Sequence, residues 1–450
     1  MLKRKIDEFL ETYFMHQDSK ALLLTGARQT GKTYSVRAFG KTHFESFVEI
    51  NFLENTAARS LFENAQDTSG ILLRLSAVAD KTLIKGKTLI FFDEVQECPE
   101  IVTAVKFLVE EGSYRYILSG SLLGVTLNDV RSIPVGYMDI KQLFPLDFEE
   151  FCTACGVSGT VLAALEKCFT AKEKVDDIVH AKMMELFRLY LLVGGMPAAV
   201  DAYLETNNLQ QVAQVQDSIL TLYKKDISKY DPEHKLYIEE IFNLIPPELN
   251  EKNKRFILKN LNENLKFSRY ENSFLWLRDA GVALPVYCVE EPKPPLMLSR
   301  SRNLFKLFLS DVGLLACQYA ADLQIKILKQ ESDINFGSVY ENAAAQELKA
   351  HGFELYYFNS KKQGELDFLV EQNGSVIPIE IKSGKQYERH NALCSVLSDH
   401  DYHLQQAFVF CSDNVHTKGN VIYYPVYLIM CLKKAQVQNT VYKIDLGPLK

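Results

Sequence analysis

Short, unbroken apolar runs punctuate the first third of the chain: Ala21 to Leu24 in "ALLLTG", then "KTLIFFDE" and "YRYILSGS". Each reads as a strand covered on both faces, since a strand buried on one side only would alternate. Helical patterns lie between them, and "MLKRKIDEFLETYF" opens the chain as an amphipathic helix. That order predicts an α/β fold with a parallel sheet between layers of helix. From about Gly156 to Tyr230 the pattern is helical, with "VGGMP" (Val193 to Pro197) as a turn shaped by Gly194, Gly195 and Pro197. "LYIEEIFNLIPPELN", "KNKRFILKNLNENLKF" and "RYENSFLWLRDAG" then predict three helices, and strands in "VALPVYCVE" follow. Three helices and a hairpin are the order of a winged helix.

The last third returns to strand period. "INFGSVYENAAAQELKAHG" predicts a helix carrying Glu341 and Glu347, and "FELYYFN" a strand. "GELDFLVEQNGSVIPIEIKSGK", from Gly364 to Lys385, reads as two strands around Asn373-Gly374, because both residues tolerate the positive φ of a type I′ turn. Counting outward from that turn sets Asp367 opposite Glu380. One face then carries Glu365, Asp367, Glu380 and Lys382, and the other Leu366, Phe368, Val370, Ile377, Ile379 and Ile381. A helix in "ERHNALCSVLSDH" and a strand in "QQAFVFCS" complete the order αβββαβ. Facing carboxylates repel unless a proton or a divalent cation sits between them. The alternative is a solvated polar face on which Lys382 neutralises its neighbours.

Composition narrows the class. With 450 residues, 47% apolar and 24% charged, the chain has the make-up of a globular protein of roughly two to four domains. A net charge of −7 argues against a wholesale nucleic-acid coat, so any DNA or RNA contact comes from a local patch. Lys252, Lys254, Arg255, Lys259, Lys266 and Arg269 offer such charge in the winged-helix segment, but acids balance them. A DNA-reading role, a protein-docking role and a purely structural one stay open there. Nine scattered cysteines fit a reducing cytoplasm, and Cys152 and Cys155 lack a second pair or a His at ligand spacing. No signal peptide opens the sequence, and "VIYYPVYLIMCL" is too short to span a bilayer. The expectation is a soluble cytoplasmic protein with no membrane partner.

Chemistry is densest near the first strand. Gly26, Gly31, Lys32 and Thr33 satisfy G-x-x-x-x-G-K-[ST], with Ala27, Arg28, Gln29 and Thr30 between the glycines. Strand, loop and helix follow in the order in which backbone N–H groups cradle phosphates at a helix N-terminus. Lys32 is placed to reach the β- and γ-phosphates of ATP, and Thr33 to hold Mg²⁺. About sixty residues on, the strand "LIFFDE" ends in Asp93, a second candidate for the Mg²⁺ shell, and Glu94, a candidate to orient the attacking water.

"GARQTGKT", "IFFDEVQECP", "ILSGSLLGV", "IPVGYMDIKQLFPLDFEEF", "YLLVGGMPAAV" and "LYKKDISKY" come in an order that resembles the prokaryotic AAA-type ATPases with a C-terminal domain of unknown function. The resemblance implies an ATPase core over 1–155, a helical lid over 156–230, a winged-helix-like domain over 231–325 and a C-terminal α/β domain over 326–450. It implies that Ser119 or Ser121 senses the γ-phosphate, and that "SRNLFKLFLSDVGLL" is a connecting helix. Such proteins often complete sites between subunits, which makes a homo-oligomer one expected assembly. They often carry a basic residue after "PVG", where this chain has Tyr137; Arg131 is the nearby substitute. The αβββαβ order with Asp367, Glu380 and Lys382 resembles the PD-(D/E)XK, or restriction-endonuclease-like, fold. That likeness implies Mg²⁺ held by Asp367, Glu380 and a helix glutamate, for which Glu341 is the match, with Lys382 positioning water at a DNA phosphodiester. The catalytic set expected is therefore Lys32 and Glu94 in one site, and Asp367, Glu380 and Lys382 in the other. The alternative is an ATP-switched regulatory or assembly protein whose C-terminal domain binds a partner or nucleic acid without cleaving it.

Overall fold

A computed structural model describes residues 2–15, 20–62, 67–121, 136–230, 235–251, 254–257, 270–329, 336–435 and 442–444. Helix α1 (Lys5–Met15) leads into β1 (Ala21–Thr25), α2 (Lys32–His43), β2 (Ser46–Asn51), α3 (Thr68–Val78), β3 (Thr88–Asp93), α4 (Glu100–Glu111), β4 (Arg115–Ser119) and β5 (Met138–Gln142). The five strands are parallel in the order β2-β3-β4-β1-β5. The unbroken apolar runs are explained by cores on both sides. Leu23, Ile90, Phe92 and Leu118 feed one core, while Leu22, Leu24, Phe91 and Ile117 feed the other.

Helices α5 (Phe148–Ala154), α6 (Gly159–Ala171), α7 (Asp177–Val193), α8 (Pro197–Thr206) and α9 (Leu209–Tyr230) follow. The "VGGMP" turn between α7 and α8 is a backbone junction as well as a turn. A Cβ on Gly195 would lie 2.0 Å from the Leu146 carbonyl oxygen. The Gly195 N–H instead donates to Asp311 Oδ2 at 2.6 Å, and its carbonyl accepts from the Leu146 N–H at 2.7 Å. Asp311 also accepts from the Leu314 N–H at 3.0 Å, capping α12 (Val312–Ala316) once α10 (Lys235–Asn250) and α11 (Glu271–Asp279) have passed.

The middle of the chain departs from the winged-helix expectation. The second expected helix falls mostly outside the described residues, as do Lys252, Lys259, Lys266 and Arg269, and residues 254–257 are not helical. The hairpin is present as β6 (Ala283–Val289) and β7 (Arg300–Leu309), but it is not a free wing. β6 pairs in parallel with β8 (Tyr356–Ser360), so both strands extend the C-terminal sheet, and a boundary at 325 cuts through that sheet. β7 also replaces the connecting helix expected from "SRNLFKLFLSDVGLL". Phe305 to Leu309 are all buried, so the run carries no period, and β6 supplies the ladder that decides for strand.

Beyond α13 (Ala321–Lys329) come α14 (Gly337–Ala350), β8, β9 (Gly364–Gln372), β10 (Ser375–Ile381), α15 (Asn391–Leu397) and β11 (Ala407–Cys411), then β12 (His416–Lys418) and β13 (Val421–Pro425). The eight-stranded sheet runs β12-β13-β11-β10-β9-β8-β6-β7. Asn373 and Gly374 take φ values of 52° and 74°, and Phe368 pairs with Ile379. The pairing ends there; beyond it Asp367 Oδ2 accepts the Ile381 N–H at 2.9 Å, and Asp367 lies near enough to Glu380 to raise its carboxyl. Two details differ from the expected faces. Leu366 packs with Leu369 and Val376, away from Phe368 and Val370, because the β8–β9 register shifts between Tyr356 and Phe358 and turns the strand over. The polar face is also largely covered, with Glu380 3% exposed.

Asp311 gives this junction a pH signature. Burial pushes its carboxyl up to about 6 against the opposing N–H groups of Gly195, Leu314 and Gly313. An unfolded Asp titrates near ~3.9, so the stability Asp311 contributes is fully present below about pH 4 and is lost as pH rises through about 6. Urea titrations should show wild type losing about 2 kcal/mol relative to Asp311→Asn between about pH 4 and pH 7. A difference that stays constant with pH contradicts this assignment.

Candidate functional site

The loop after β1 needs its glycines. Gly26 has φ 137° and Gly31 φ 95°, and a Cβ on Gly26 would lie 2.2 Å from the Leu143 carbonyl oxygen. Gln29 is held at φ 66° between them. Lys32 Nζ donates to the carbonyls of Gly26 at 2.9 Å and Ala27 at 2.7 Å, and burial pushes its ammonium down to about 8. Thr30 donates to the Ala27 carbonyl at 2.9 Å.

Asp93 is the hub at the ends of the strands. Its Oδ2 accepts from Thr33 Oγ1 at 2.9 Å and Asn51 Nδ2 at 3.3 Å. Its Oδ1 accepts from the Glu94 N–H at 3.1 Å and from the Ser119 hydroxyl. Burial nevertheless raises its carboxyl above the usual range. Glu94 sits at φ 55°, an uncommon place for a non-glycine and one that accumulates at functional sites. Its Oε2 accepts from Gln96 Nε2 at 2.5 Å. Ser121 Oγ is buried with no hydrogen-bond partner among the described residues and lines a cleft of about 730 Å³ with Lys32, Thr33 and Glu94. Asn51 and Gln96 escaped the sequence reading. The signal for Asn51 was a polar residue ending an apolar strand, register partner to Asp93.

Tyr137 lies elsewhere. Its carbonyl accepts the Ala21 N–H at the start of β1, the end opposite the loop, and its hydroxyl donates to Glu110 at 2.6 Å. Arg131 falls outside the described residues.

The second cluster lies between β7, α14 and the β9–β10 hairpin. Glu341, Glu365, Asp367 and Glu380 meet three ammonium groups. Lys306 Nζ lies 2.7 Å from Glu365 and 4.0 Å from Glu341, Lys254 pairs with Glu341, and Lys382 lies 2.8 Å from Glu380. Burial and neighbouring Asp367 raise the Glu380 carboxyl, and burial raises Glu341 too. Asp367 stays low despite burial because Lys306, Lys254 and Lys382 favour its charge. The carboxylates suit Mg²⁺ in kind. As they stand, however, no group of three or more His, Cys, Asp or Glu among the described residues is arranged to hold a metal ion. Lys306 and Lys254 were not singled out as members of this site; a lone Lys inside "LFKLFL" was the available signal. Glu347, on the same helix as Glu341, points elsewhere and accepts from the Phe148 N–H at 2.7 Å and from Tyr190 at 3.2 Å.

Residues 18–152 match the family described as AAA domain. Over these residues the chain is similar to AAA domains. Residues 184–325 match a domain of unknown function (DUF8612), and residues 336–429 match another (DUF4143). No curated protein matches the chain. Among solved structures, the Walker-type ATPase PABY2304 of Pyrococcus abyssi is 14% identical, covering 70% of this chain and 95% of its own, with a TM-score of 0.43. The Aeropyrum pernix ORC1 protein, solved in complex with DNA, is 12% identical over 73% of this chain and 91% of its own, at 0.27. Cdc6p from Pyrobaculum aerophilum is 12% identical over 72% and 92%, at 0.24. These TM-scores are too low for a likeness of the whole chain.

The glycine loop, residues 26–33, is gripped by other parts of the chain. Arg28 pairs with Asp226 of α9 at 2.8 Å, and Tyr223 donates to the Arg28 carbonyl at 3.2 Å. Arg4 donates to the Thr30 carbonyl at 3.1 Å and to Glu150 at 3.0 Å. Gly281, in the turn between α11 and β6, packs so closely that a Cβ there would lie 2.9 Å from the Ala27 nitrogen.

The lysine pairing of the second cluster is testable by stability. Lys306 is fully buried, so Lys306→Met should cost about 3–5 kcal/mol by orphaning buried carboxylates. The Lys382 side chain is 27% exposed, and Lys382→Ala should cost about 1 kcal/mol or less. Equal losses in urea denaturation would contradict the picture of Lys306 as the fixed counter-ion.

Proposed function

We propose that the chain binds and hydrolyses Mg-ATP in its AAA domain and passes its nucleotide state to a nuclease-like C-terminal domain. One observation carries the first half: Asp93 gathers Thr33, Asn51 and Ser119 at the mouth of the phosphate loop. Magnesium, when bound, supplies charge neutralisation at the phosphates. Thr33 and Asp93 would hold it. Lys32 is already aimed into its own loop and exchanges the Gly26 and Ala27 carbonyls for phosphate oxygens. Glu94 orients the attacking water, with Gln96 fixing its carboxylate, and Ser119 or Ser121 reports the γ-phosphate. The grip of Gly281 and Asp226 on the loop supports the second half.

Two readings of the C-terminal domain each have support. The register that sets Asp367 beside Glu380, with Lys382 two residues on, favours Mg²⁺-dependent cleavage of DNA. The lysines already paired with those carboxylates favour recognition of a partner or nucleic acid without cleavage.

Lys32→Ala should lower ATP turnover at least about a hundredfold and weaken binding of a fluorescent ATP analogue. Unchanged turnover refutes the site. Mixed DNA substrates incubated with ATP and Mg²⁺ or Mn²⁺ separate the two readings. Cutting by wild type that Lys382→Ala loses supports cleavage, and intact DNA throughout supports recognition.

A further inference from the structure

Three polar atoms beside the glycine loop are buried with no hydrogen-bond partner among the described residues: Arg28 Nε, Ser121 Oγ and Trp276 Nε1. Their residues line one cavity of about 10 Å³, room for about one water, together with Tyr223 and Asp226 of α9 and Val282. Ser121 is 3% exposed and Trp276 5%. Guanidinium and indole nitrogens can only donate, whereas a serine hydroxyl carries one proton and two lone pairs. Asp226 also accepts, but its Oδ1 already takes Arg28 Nη1 at 2.8 Å. Ser121 Oγ is thus the acceptor on this cavity that can satisfy the two stranded N–H groups, directly or across one water.

Ser121 also lines the cleft of about 730 Å³ with Lys32, Thr33 and Glu94, so it forms a wall shared by that cleft and the small cavity. Ser119 is committed elsewhere, since its hydroxyl donates to Asp93. The oxygens of an ionised γ-phosphate only accept, and Ser121 has one proton to give. A hydroxyl turned to that phosphate moves away from the cavity by one rotamer step. With no γ-phosphate there, nothing draws it from Arg28 and Trp276. Trp276 is placed to register the difference. It lies on α11, which packs on β6 and runs into Gly281, the residue set against the Ala27 nitrogen.

We infer that Trp276 is a positioning residue of the nucleotide cycle: Ser121 holds its indole N–H until a γ-phosphate takes the Ser121 hydroxyl. The inference rests on the ATP-binding reading and adds its regulation, by naming the side chain that carries the presence of the γ-phosphate to α11 and β6.

The chain contains one tryptophan, so the full chain labelled with ¹⁵N-tryptophan gives a single indole N–H resonance, and its shift reads that hydrogen bond directly. Spectra are taken without nucleotide, with Mg-ADP and with the Mg complex of the non-hydrolysable β,γ-imido analogue of ATP. Displacement of a fluorescent ATP analogue sets saturating concentrations for each protein. The resonance should hold one position without nucleotide and with ADP, and move with the imido analogue. Ser121→Ala should lose the difference between ADP and the imido analogue. Ser121→Cys, a weaker donor and acceptor, should shrink it and takes the place of Ser121→Ala if that variant fails to fold. One position in all three wild-type spectra, with both nucleotides displacing the fluorescent analogue, overturns the inference and leaves the ATP site standing. A difference that survives intact in Ser121→Ala or Ser121→Cys also overturns it. No binding of the fluorescent analogue to wild type overturns the ATP reading and this inference together.

Discussion

Close backbone packing around the glycine loop after β1 is the constraint on which the rest of the arrangement depends. Gly281 has no side chain, so the turn between α11 and β6 can lie directly against the Ala27 amide. The same loop is tied through Arg28 to α9 and through the Thr30 carbonyl to Arg4. Phosphate loops bind by aiming their N–H groups inward. A loop held on its outer side by three other elements cannot adjust those groups without displacing what holds it. β6 begins two residues after Gly281 and belongs to the C-terminal sheet, so the displacement has a direct route into that sheet.

Both candidate sites face the cost of burying carboxylates, and they meet it differently. Asp93 is surrounded by neutral donors: a threonine and a serine hydroxyl, an asparagine amide and a backbone N–H. Such donors bring no opposite charge of their own, and burial raises its carboxyl, a setting in which a divalent cation is welcome. In the C-terminal cluster the partners are full positive charges, and Lys306 is more deeply buried than Glu365, with which it pairs.

What the sequence made legible was local. The phosphate-loop residues fall within eight positions, and their spacing is the chemistry. The β9–β10 register follows from a two-residue turn, so the count from Asn373-Gly374 reaches Asp367 and Glu380 without tertiary information. What stayed hidden depends on distant partners. β7 looks helical because both its faces are buried and the run has no period; only β6 makes it a strand. Leu366 changes sides because of a register shift against β8, which no count from the turn could show. Asn51 joins the ATP site through the parallel pairing of β2 with β3, and Lys254 and Lys306 reach Glu341 from 87 and 35 residues away (341 − 254 and 341 − 306).

On the proposed function, the glycine loop and the C-terminal sheet respond to nucleotide as one. Hydrogen–deuterium exchange with and without Mg-ATP tests it most directly. Coupling through Gly281 predicts that nucleotide changes exchange in two places: the loop itself, residues 26–33, and the turn and strand from Gly281 through Val289. A change confined to residues 26–33, with Gly281 through Val289 indifferent to nucleotide, would contradict it.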